Sequence, residues 1–147
     1  MLHLALYQPE IPQNAGTLIR LAACVGINFD IIDPCSFILD DARLKRAGMD
    51  YVEIASIKRH QNWENFRQAY AARRVILLDT KADTNYLDFE FQSNDILLVG
   101  RESDGVPPSV FQSTDHQVKI MMQPLRRSLN VAVAASMVIG EALRQTR

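Results

Sequence analysis

Residues 96–107 read Ile96-Leu97-Leu98-Val99-Gly100-Arg101-Glu102-Ser103-Asp104-Gly105-Val106-Pro107. The apolar run at 96–99 is typical of a buried strand of a parallel sheet. Gly100 allows a ligand to approach the backbone closely, Gly105 permits a positive φ, and Pro107 suits the beginning of a helix. The two glycines are five positions apart, which differs from the G-x-G-x-x-G dinucleotide fingerprint. The stretch therefore predicts a strand, a tight loop and a helix.

The same alternation of short apolar runs and helical patterns extends in both directions along the chain. It predicts strands at residues 2–7, 29–33, 52–56, 75–79, 96–99 and 118–122. It predicts helices at residues 15–25, 40–47, 63–71, 107–112 and 130–145, with Gly26 and Gly48 as left-handed caps. No linker or repeat divides the chain, so we expect one α/β domain over residues 1–147. Its mostly parallel sheet would carry helices on both faces.

Composition limits the class of protein. The chain has 147 residues, of which 48% are hydrophobic and 22% are charged, as in a soluble globular domain. No apolar stretch reaches the ~20 residues of a membrane span, and the N-terminus has no signal-peptide pattern. We expect a cytoplasmic protein without a membrane contact. Cys24 and Cys35 lack metal-ligand spacing, so we expect no metal, and we expect Cys24 to be a small buried hydrophobe.

Charge is balanced overall but unevenly placed. Sixteen Lys and Arg stand against 17 Asp and Glu, a net charge of −1 at pH 7, which argues against indiscriminate nucleic-acid coating. Local basic groups fall at Arg43, Lys45, Arg46, Lys58 and Arg59. The 43–59 group is either an RNA-facing surface or an ordinary solvated face.

The helix predicted at 130–145 is apolar nearly all round until Glu141. Such a helix needs cover on two sides. The second cover is either a second copy of the chain, which gives a homodimer, or the interior of its own monomer.

Two further loops combine polar residues with the end of a predicted strand. In the first, Asn14 can cap the helix that follows, and Arg20 lies in a largely apolar helix, where an arginine calls for a partner or an anion. In the second, either Ser128 or Asn130 caps the last helix, beside Arg126 and Arg127. Paired arginines at such a place suit phosphate.

The three loops carry N-x-G-x-x-x-R (Asn14, Gly16, Arg20), G-x-E-x-x-G-x-P (Gly100, Glu102, Gly105, Pro107) and Ser-Leu-Asn-Val-Ala-Val-Ala at 128–134. Together they resemble the three motifs of SPOUT-superfamily RNA 2′-O-ribose methyltransferases. Residues 6–16 and 44–51 resemble in particular the TrmL (YibK-like) group, which modifies cytidine or uridine 34 of tRNA. The departures are Met121, Leu125 and Gly140, where members of the group commonly have other residues.

The resemblance implies a SPOUT fold with a deep C-terminal trefoil knot, an obligate homodimer and S-adenosyl-L-methionine as cofactor. The cofactor positions that it implies are Leu78, Gly100, Ile120, Met122 and Ser128. It implies that Arg20 from the partner subunit reaches the same pocket.

The catalytic group implied by the resemblance is Arg20 with Asn14, Glu102 and Asn130. Arginine stays charged in proteins, so we expect Arg20 to orient the ribose hydroxyl and stabilise the developing alkoxide, not to remove its proton. The other three residues would fix Arg20 and the ribose. The expected partner is a tRNA anticodon stem-loop. The alternatives are 2′-O-methylation at another tRNA or rRNA position and a non-catalytic RNA-binding dimer.

Overall fold

The computed structural model describes residues 1–39, 41–46, 56–126 and 128–147. Its strands are β1 (His3–Tyr7), β2 (Asn28–Ile32), β3 (Lys58–His60), β4 (Val75–Leu78), β5 (Thr84–Asn85), β6 (Ile96–Val99) and β7 (His116–Lys119). Its helices are α1 (Pro12–Val25), α2 (Asp41–Arg46), α3 (Trp63–Ala69), α4 (Pro108–Ser113) and α5 (Val131–Thr146), with a 3₁₀ turn at Tyr86–Asp88.

The described strands form one seven-stranded sheet in the order β3-β2-β1-β6-β4-β7-β5. Each pairing between neighbouring strands is parallel. Parallel neighbours cannot be joined by hairpins and need crossover connections, a role that helices fill. The prediction of a mostly parallel α/β sheet is confirmed.

Apolar side chains pack on both faces of this sheet. In β1, Leu4 and Leu6 belong to one buried cluster, whereas Ala5 and Tyr7 belong to another, because successive strand residues point to opposite faces. The helical residues of the two clusters include Leu18, Ile19, Ala135 and Val138 in the first and Phe66 and Val110 in the second. Helices α1 and α5 therefore cover one face, and α3 and α4 cover the other.

Strands β1 and β6 are neighbours at the centre of the sheet. The chain leaves β1 into α1 on one face and leaves β6 toward α4 on the opposite face. In parallel sheets a ligand crevice opens outside the carboxyl ends of the strands at such a point. The topology therefore places a crevice beside the loops that follow β1 and β6.

A buried hydrogen-bond network attaches β3 to the sheet. Asp30 of β2 is 1% exposed, and its carboxylate lies 3.1 Å from His3 Nδ1, 2.6 Å from His60 Nε2 and 2.5 Å from the Tyr70 hydroxyl. Burial by itself raises the pKa of the Asp30 carboxyl, but the hydrogen bonds from His3, Tyr70 and His60 outweigh it and hold that pKa below its ordinary value. The anionic Asp30 thus holds together strands β1, β2 and β3.

The sequence pattern did not identify β3, because Lys58-Arg59-His60 contains no apolar residue. The strand predicted at 52–56 lies outside the described residues except for Ser56, which is in a turn. The short β5 and the 3₁₀ turn were not predicted either. The last strand covers His116–Lys119 instead of 118–122.

Helix α1 begins at Pro12 and not at residue 15, so Asn14 lies inside its first turn. The predicted capping by Asn14 is wrong, since the N-cap is Ile11 and has no side-chain hydrogen bond. Gly26 ends the helix at φ 72°, as predicted. Gly48 lies outside the described residues. Cys24 is exposed, so the prediction of a buried cysteine is wrong.

Within the described parts of the chain, helix α5 is covered on one side only. Ala132, Ala135 and Val138 are buried, whereas Val133 is 51% exposed and Met137 is 40% exposed. The alternative of a helix buried wholly within its own chain is therefore wrong.

In the part of the chain that the structure describes, no helix is long and apolar enough to cross a bilayer. The same part contains no cluster of three or more His, Cys, Asp or Glu side chains placed to hold a metal ion.

Candidate active site

A cleft of about 730 Å³ opens where the topology places a crevice. Its walls come from the carboxyl ends of β4, β6 and β7 and from the first residues of α1 and α5. The predicted site residues that line it are Asn14, Leu78, Gly100, Glu102, Ile120, Met122, Ser128 and Asn130. Arg20 is the predicted site residue that does not line the cleft of its own chain.

The lining combines apolar and charged groups. Leu78, Val99 and Ile120 supply apolar surface, while Asp79 and Lys81 bring charges of opposite sign to the same rim. The volume lies within the range of about 300–1,000 Å³ that small-molecule and cofactor sites occupy. Such a cleft can hold a flat apolar ring together with a charged tail.

The loop after β6 is a tight backbone ring. Arg101 and Gly105 exchange backbone hydrogen bonds, both of 2.9 Å. A Cβ atom on Gly100 would lie 2.6 Å from the carbonyl carbon of Gly105, and Gly105 itself has a φ of +65°. The positive φ predicted for Gly105 is confirmed. At Gly100, the close approach that requires glycine comes from the loop's own backbone.

Asn130 joins the first and third motif loops. Its side-chain oxygen accepts hydrogen bonds from the backbone N–H groups of Ala132 (2.8 Å) and Val133 (3.2 Å), which makes Asn130 the N-cap of α5. Its amide nitrogen donates to Oδ1 of Asn14 at 3.0 Å. Of the two candidate caps, Asn130 and not Ser128 therefore serves this helix, and it also holds Asn14.

Glu102 joins the first and second motif loops. Its carboxylate accepts hydrogen bonds from the backbone N–H of Glu10 (2.9 Å) and of Ile11 (3.4 Å). In return, the Glu10 carboxylate accepts a 3.0 Å bond from the backbone N–H of Ser103, whose Oγ lies 2.8 and 3.0 Å from the two carboxylate oxygens. These bonds hold the pKa of the Glu10 carboxyl below its ordinary value.

Glu10 is absent from the predicted site residues, although it stands in the first motif loop. The spacing of the motifs contains no sign that its carboxylate meets Ser103, because the two residues are 93 positions apart. Only the parallel arrangement of β1 and β6 brings them together.

Arg20 lies on the exposed side of α1, which corrects the expectation of a largely buried position. It shares that side with Gln13, Thr17 and Cys24, all exposed and spaced by three or four residues. Helix α1 packs against α5. Arg20 therefore belongs to the same outer helical layer as the exposed Val133 and Met137 of α5.

Part of the basic group at 43–59 is neutralised or shielded. Arg59 forms an ion pair with Asp33, and Nζ of Lys58 lies 5.3 Å from the centre of the Tyr70 ring. Lys45 and Arg46 are exposed on α2. Arg126 is exposed beside the cleft loop, whereas Arg127 and the side chain of Arg43 lie outside the described residues.

The fold and the cleft define an α/β protein with a cofactor-sized site at its strand ends. The model of the SpoU rRNA Methylase family matches residues 1–140 of the chain. The chain therefore belongs to the SpoU methylase family, which confirms the predicted membership.

Curated relatives match nearly the whole chain. A protein of Beijerinckia indica named tRNA (cytidine(34)-2′-O)-methyltransferase is 54% identical over 144 residues, covering 97% of this chain and 90% of that protein. The protein of the same name from Escherichia coli K12 is 40% identical over 147 residues, covering 99% of this chain and 94% of that protein.

Solved structures agree with this assignment. One, described as "Structural insights into the 2-OH methylation of C/U34 on tRNA", has a TM-score of 0.91 at 40% identity and covers 99% of this chain and 95% of its own. An AdoMet-bound rRNA methyltransferase from Sinorhizobium meliloti has a TM-score of 0.87 at 26% identity, over 97% of this chain and 56% of its own.

Proposed function

We propose that this protein transfers a methyl group from S-adenosyl-L-methionine to the ribose 2′-hydroxyl of residue 34, a cytidine or uridine, in tRNA. The observation that carries the proposal is the meeting of all three motif loops at one cleft, where Asn130 holds Asn14 and Glu102 holds the loop before α1. The names of the curated relatives support the same reaction.

The cleft fits the cofactor in size and in chemistry. Leu78, Ile120 and Met122 offer apolar surface for the adenine ring, while Gly100 and Ser128 offer backbone groups at the loops. When bound, the cofactor supplies a methyl group already activated by its sulfonium. Among the charged residues that line the cleft, the acids Asp79, Glu102 and Asp104 outnumber the bases Lys81 and Arg101, and this excess favours a cation.

The protein's own task is mainly to place the hydroxyl in line with the methyl group. Arg20 contacts the phosphate beside the target ribose, orients the hydroxyl and stabilises the charge that develops on its oxygen. Asn14, Glu102 and Asn130 fix the surroundings of that hydroxyl. Arg20 does not remove the proton, because a guanidinium has no free acceptor.

The active form is a homodimer in which Arg20 serves the cleft of its partner. Three features support it: Arg20 does not line its own cleft, it is exposed on α1, and the adjacent α5 leaves Val133 and Met137 uncovered. A second copy packed on this layer would bury those apolar side chains and bring Arg20 close to a cleft.

The remaining expectations belong to the same proposal. Residues 1–147 form one SPOUT domain whose C-terminal part is threaded as a trefoil knot, as the membership in the SpoU methylase family implies. The RNA contact is the anticodon stem-loop, and the exposed Lys45, Arg46 and Arg126 are available to its phosphates. The protein works in the cytoplasm, where such RNA is found.

The test is methylation of tRNA that lacks the modification, with S-adenosyl-L-methionine and purified protein. Nucleoside analysis is expected to show 2′-O-methylcytidine or 2′-O-methyluridine at position 34. Methylation only at another tRNA position, or only of rRNA, contradicts the assigned substrate. RNA binding without any methyl transfer contradicts the assignment as an enzyme.

A further inference from the structure

Two glutamates form a reciprocal clasp between the loops of residues 8–11 and 101–105. Glu102 holds the backbone of Glu10 and Ile11, while Glu10 holds the backbone N–H and the hydroxyl of Ser103. Each loop thus contributes both a carboxylate and the groups that the opposite carboxylate binds. Hydrogen bonds to a charged acceptor are about twice as strong as neutral ones.

At one end, the paired glutamates bind the loop of residues 101–105, which forms a wall of the cleft. Glu102 and Ser103 line the cleft, and their loop is closed by the paired backbone hydrogen bonds of Arg101 and Gly105. We expect such a closed loop to move as a unit. A displacement of this wall therefore also moves Glu10, because the Glu10 carboxylate is bonded to Ser103.

At the other end, the paired glutamates hold residues 10 and 11, which lie directly before α1. Ile11 is the N-cap of this helix, and the cap has no hydrogen bond from its own side chain, nor is there an acidic residue in the first turn. Glu102 binds the backbone N–H groups of Glu10 and Ile11, which lead into the helix, and the Glu10 side chain ties the same segment to Ser103. The helix that they hold carries Asn14 in its first turn and Arg20 further along.

We infer that Glu10 is a positioning residue that couples the occupied cofactor cleft to the placement of α1, and through α1 to Arg20. The inference rests on the proposed function, in which Arg20 acts on the ribose. Glu10 does not line the cleft, so its effect passes through Ser103 and the backbone of residues 10–11.

One experiment measures the coupling between the cofactor cleft and α1 without any RNA. Amide hydrogen exchange is measured with and without S-adenosylhomocysteine in the wild type and in Glu10→Ala, Glu10→Gln and Ser103→Ala. In the wild type, the ligand is expected to slow exchange both at 100–105 and at 12–20. In Glu10→Ala, the slowing at 100–105 is kept and the slowing at 12–20 is strongly reduced, although Glu102 still binds the backbone of residues 10 and 11.

The variants form an ordered series. Glutamine keeps a carbonyl oxygen that can accept the bonds of Ser103, so Glu10→Gln retains part of the slowing at 12–20. Ser103→Ala removes the hydrogen bond from the hydroxyl but keeps the one from the backbone N–H, so its slowing at 12–20 is also intermediate. If Glu10→Ala fails to fold, Ser103→Ala tests the coupling in its place. Glu64→Ala removes an exposed glutamate of α3 and behaves as the wild type.

Turnover on tRNA supplies a second measurement. Glu10→Ala is expected to lower kcat roughly ten- to hundred-fold, as for a misplaced reacting group, with less than about a two-fold change in cofactor Kd because Glu10 is outside the cleft. Ligand-induced slowing at 12–20 that is undiminished in Glu10→Ala, or is absent in the wild type, overturns the inference. A wild type that binds the ligand but methylates no tRNA overturns the proposed function. The exchange measurement still shows whether Glu10 couples ligand binding in the cleft to helix α1.

Discussion

The side-chain amide of Asn130 donates a 3.0 Å hydrogen bond to Oδ1 of Asn14, joining the N-cap of the last helix to the first turn of the first helix. The two residues are 116 positions apart. The side-chain oxygen of Asn130 caps α5 and its side-chain nitrogen binds Asn14, so one side chain performs two separable tasks.

Substitution of Asn130 is expected to separate these tasks. Serine is a good N-cap but has no amide to reach Asn14, whereas alanine removes both functions. We expect Asn130→Ala to lose about 1 kcal/mol more unfolding free energy than Asn130→Ser, measured by urea denaturation. Both variants are expected to lose methyl transfer to a similar degree. Near-normal transfer by Asn130→Ser means that the link to Asn14 has no part in the reaction.

Gly100→Ala is expected to abolish cofactor binding. The added Cβ would lie 2.6 Å from the backbone of Gly105, so the loop that forms the cleft wall must change shape. Isothermal titration calorimetry with S-adenosylhomocysteine measures the effect, with circular dichroism as the check of folding. Ser109→Ala, at an exposed position of α4, is the control. Wild-type affinity in Gly100→Ala contradicts the described closeness of the two glycines.

Charges on the exposed side of α5 are expected to separate the proposed dimer. Val133→Glu with Met137→Glu places two carboxylates where a second copy would pack, at little cost to the monomer because both positions are already exposed. Sedimentation is expected to show monomers without methyl transfer. Leu87→Glu changes a different exposed apolar residue, at 56% exposure, and keeps the dimer. A doubly substituted protein that remains dimeric places the interface elsewhere.

Mixing two inactive variants tests whether Arg20 acts on the partner's cleft. Arg20→Ala protomers keep an intact cleft, and Gly100→Ala protomers keep an intact Arg20. If Arg20 serves the partner, each mixed dimer has one complete site, and random pairing restores roughly a quarter of wild-type activity. If Arg20 serves its own cleft, the mixture stays inactive.

The Asp30 network is expected to make stability depend on pH on the acid side. Because the folded pKa of Asp30 lies below its unfolded value of 3.8, its contribution is complete above that value. It is lost as pH falls through the folded pKa. Urea denaturation from pH 5 down to pH 2 should show a steeper loss of unfolding free energy for the wild type than for Asp30→Asn, with the difference appearing below pH 3.8.

At pH 7, Asp30→Asn is expected to lower the unfolding free energy by about 1–3 kcal/mol, since buried donors lose their charged acceptor. Asp104→Asn, at an exposed loop position, is the control. Equal pH slopes for Asp30→Asn and the wild type would falsify the assigned pKa direction.

The class of fold and most of the residues that line the cleft can be predicted from the amino-acid sequence. Apolar runs reveal buried strands such as Ile96–Val99 because burial on both faces leaves few other residue types possible. Glycine, proline and amide residues at strand ends identified the three loops, since those residues suit turns and helix caps. The residues expected at the cofactor site line one cleft for this reason.

Contacts between residues that are far apart in the sequence become visible only in the folded structure. β3 pairs with β2 and His60 binds the Asp30 carboxylate, although Lys58-Arg59-His60 has no apolar pattern. Asn14 does not cap α1 but is held by Asn130, and Glu10 meets Ser103 only because β1 and β6 are adjacent. Local sequence patterns indicate which residues are buried and which form turns. They do not indicate which polar side chains meet across the sheet, because those contacts depend on the order of the strands.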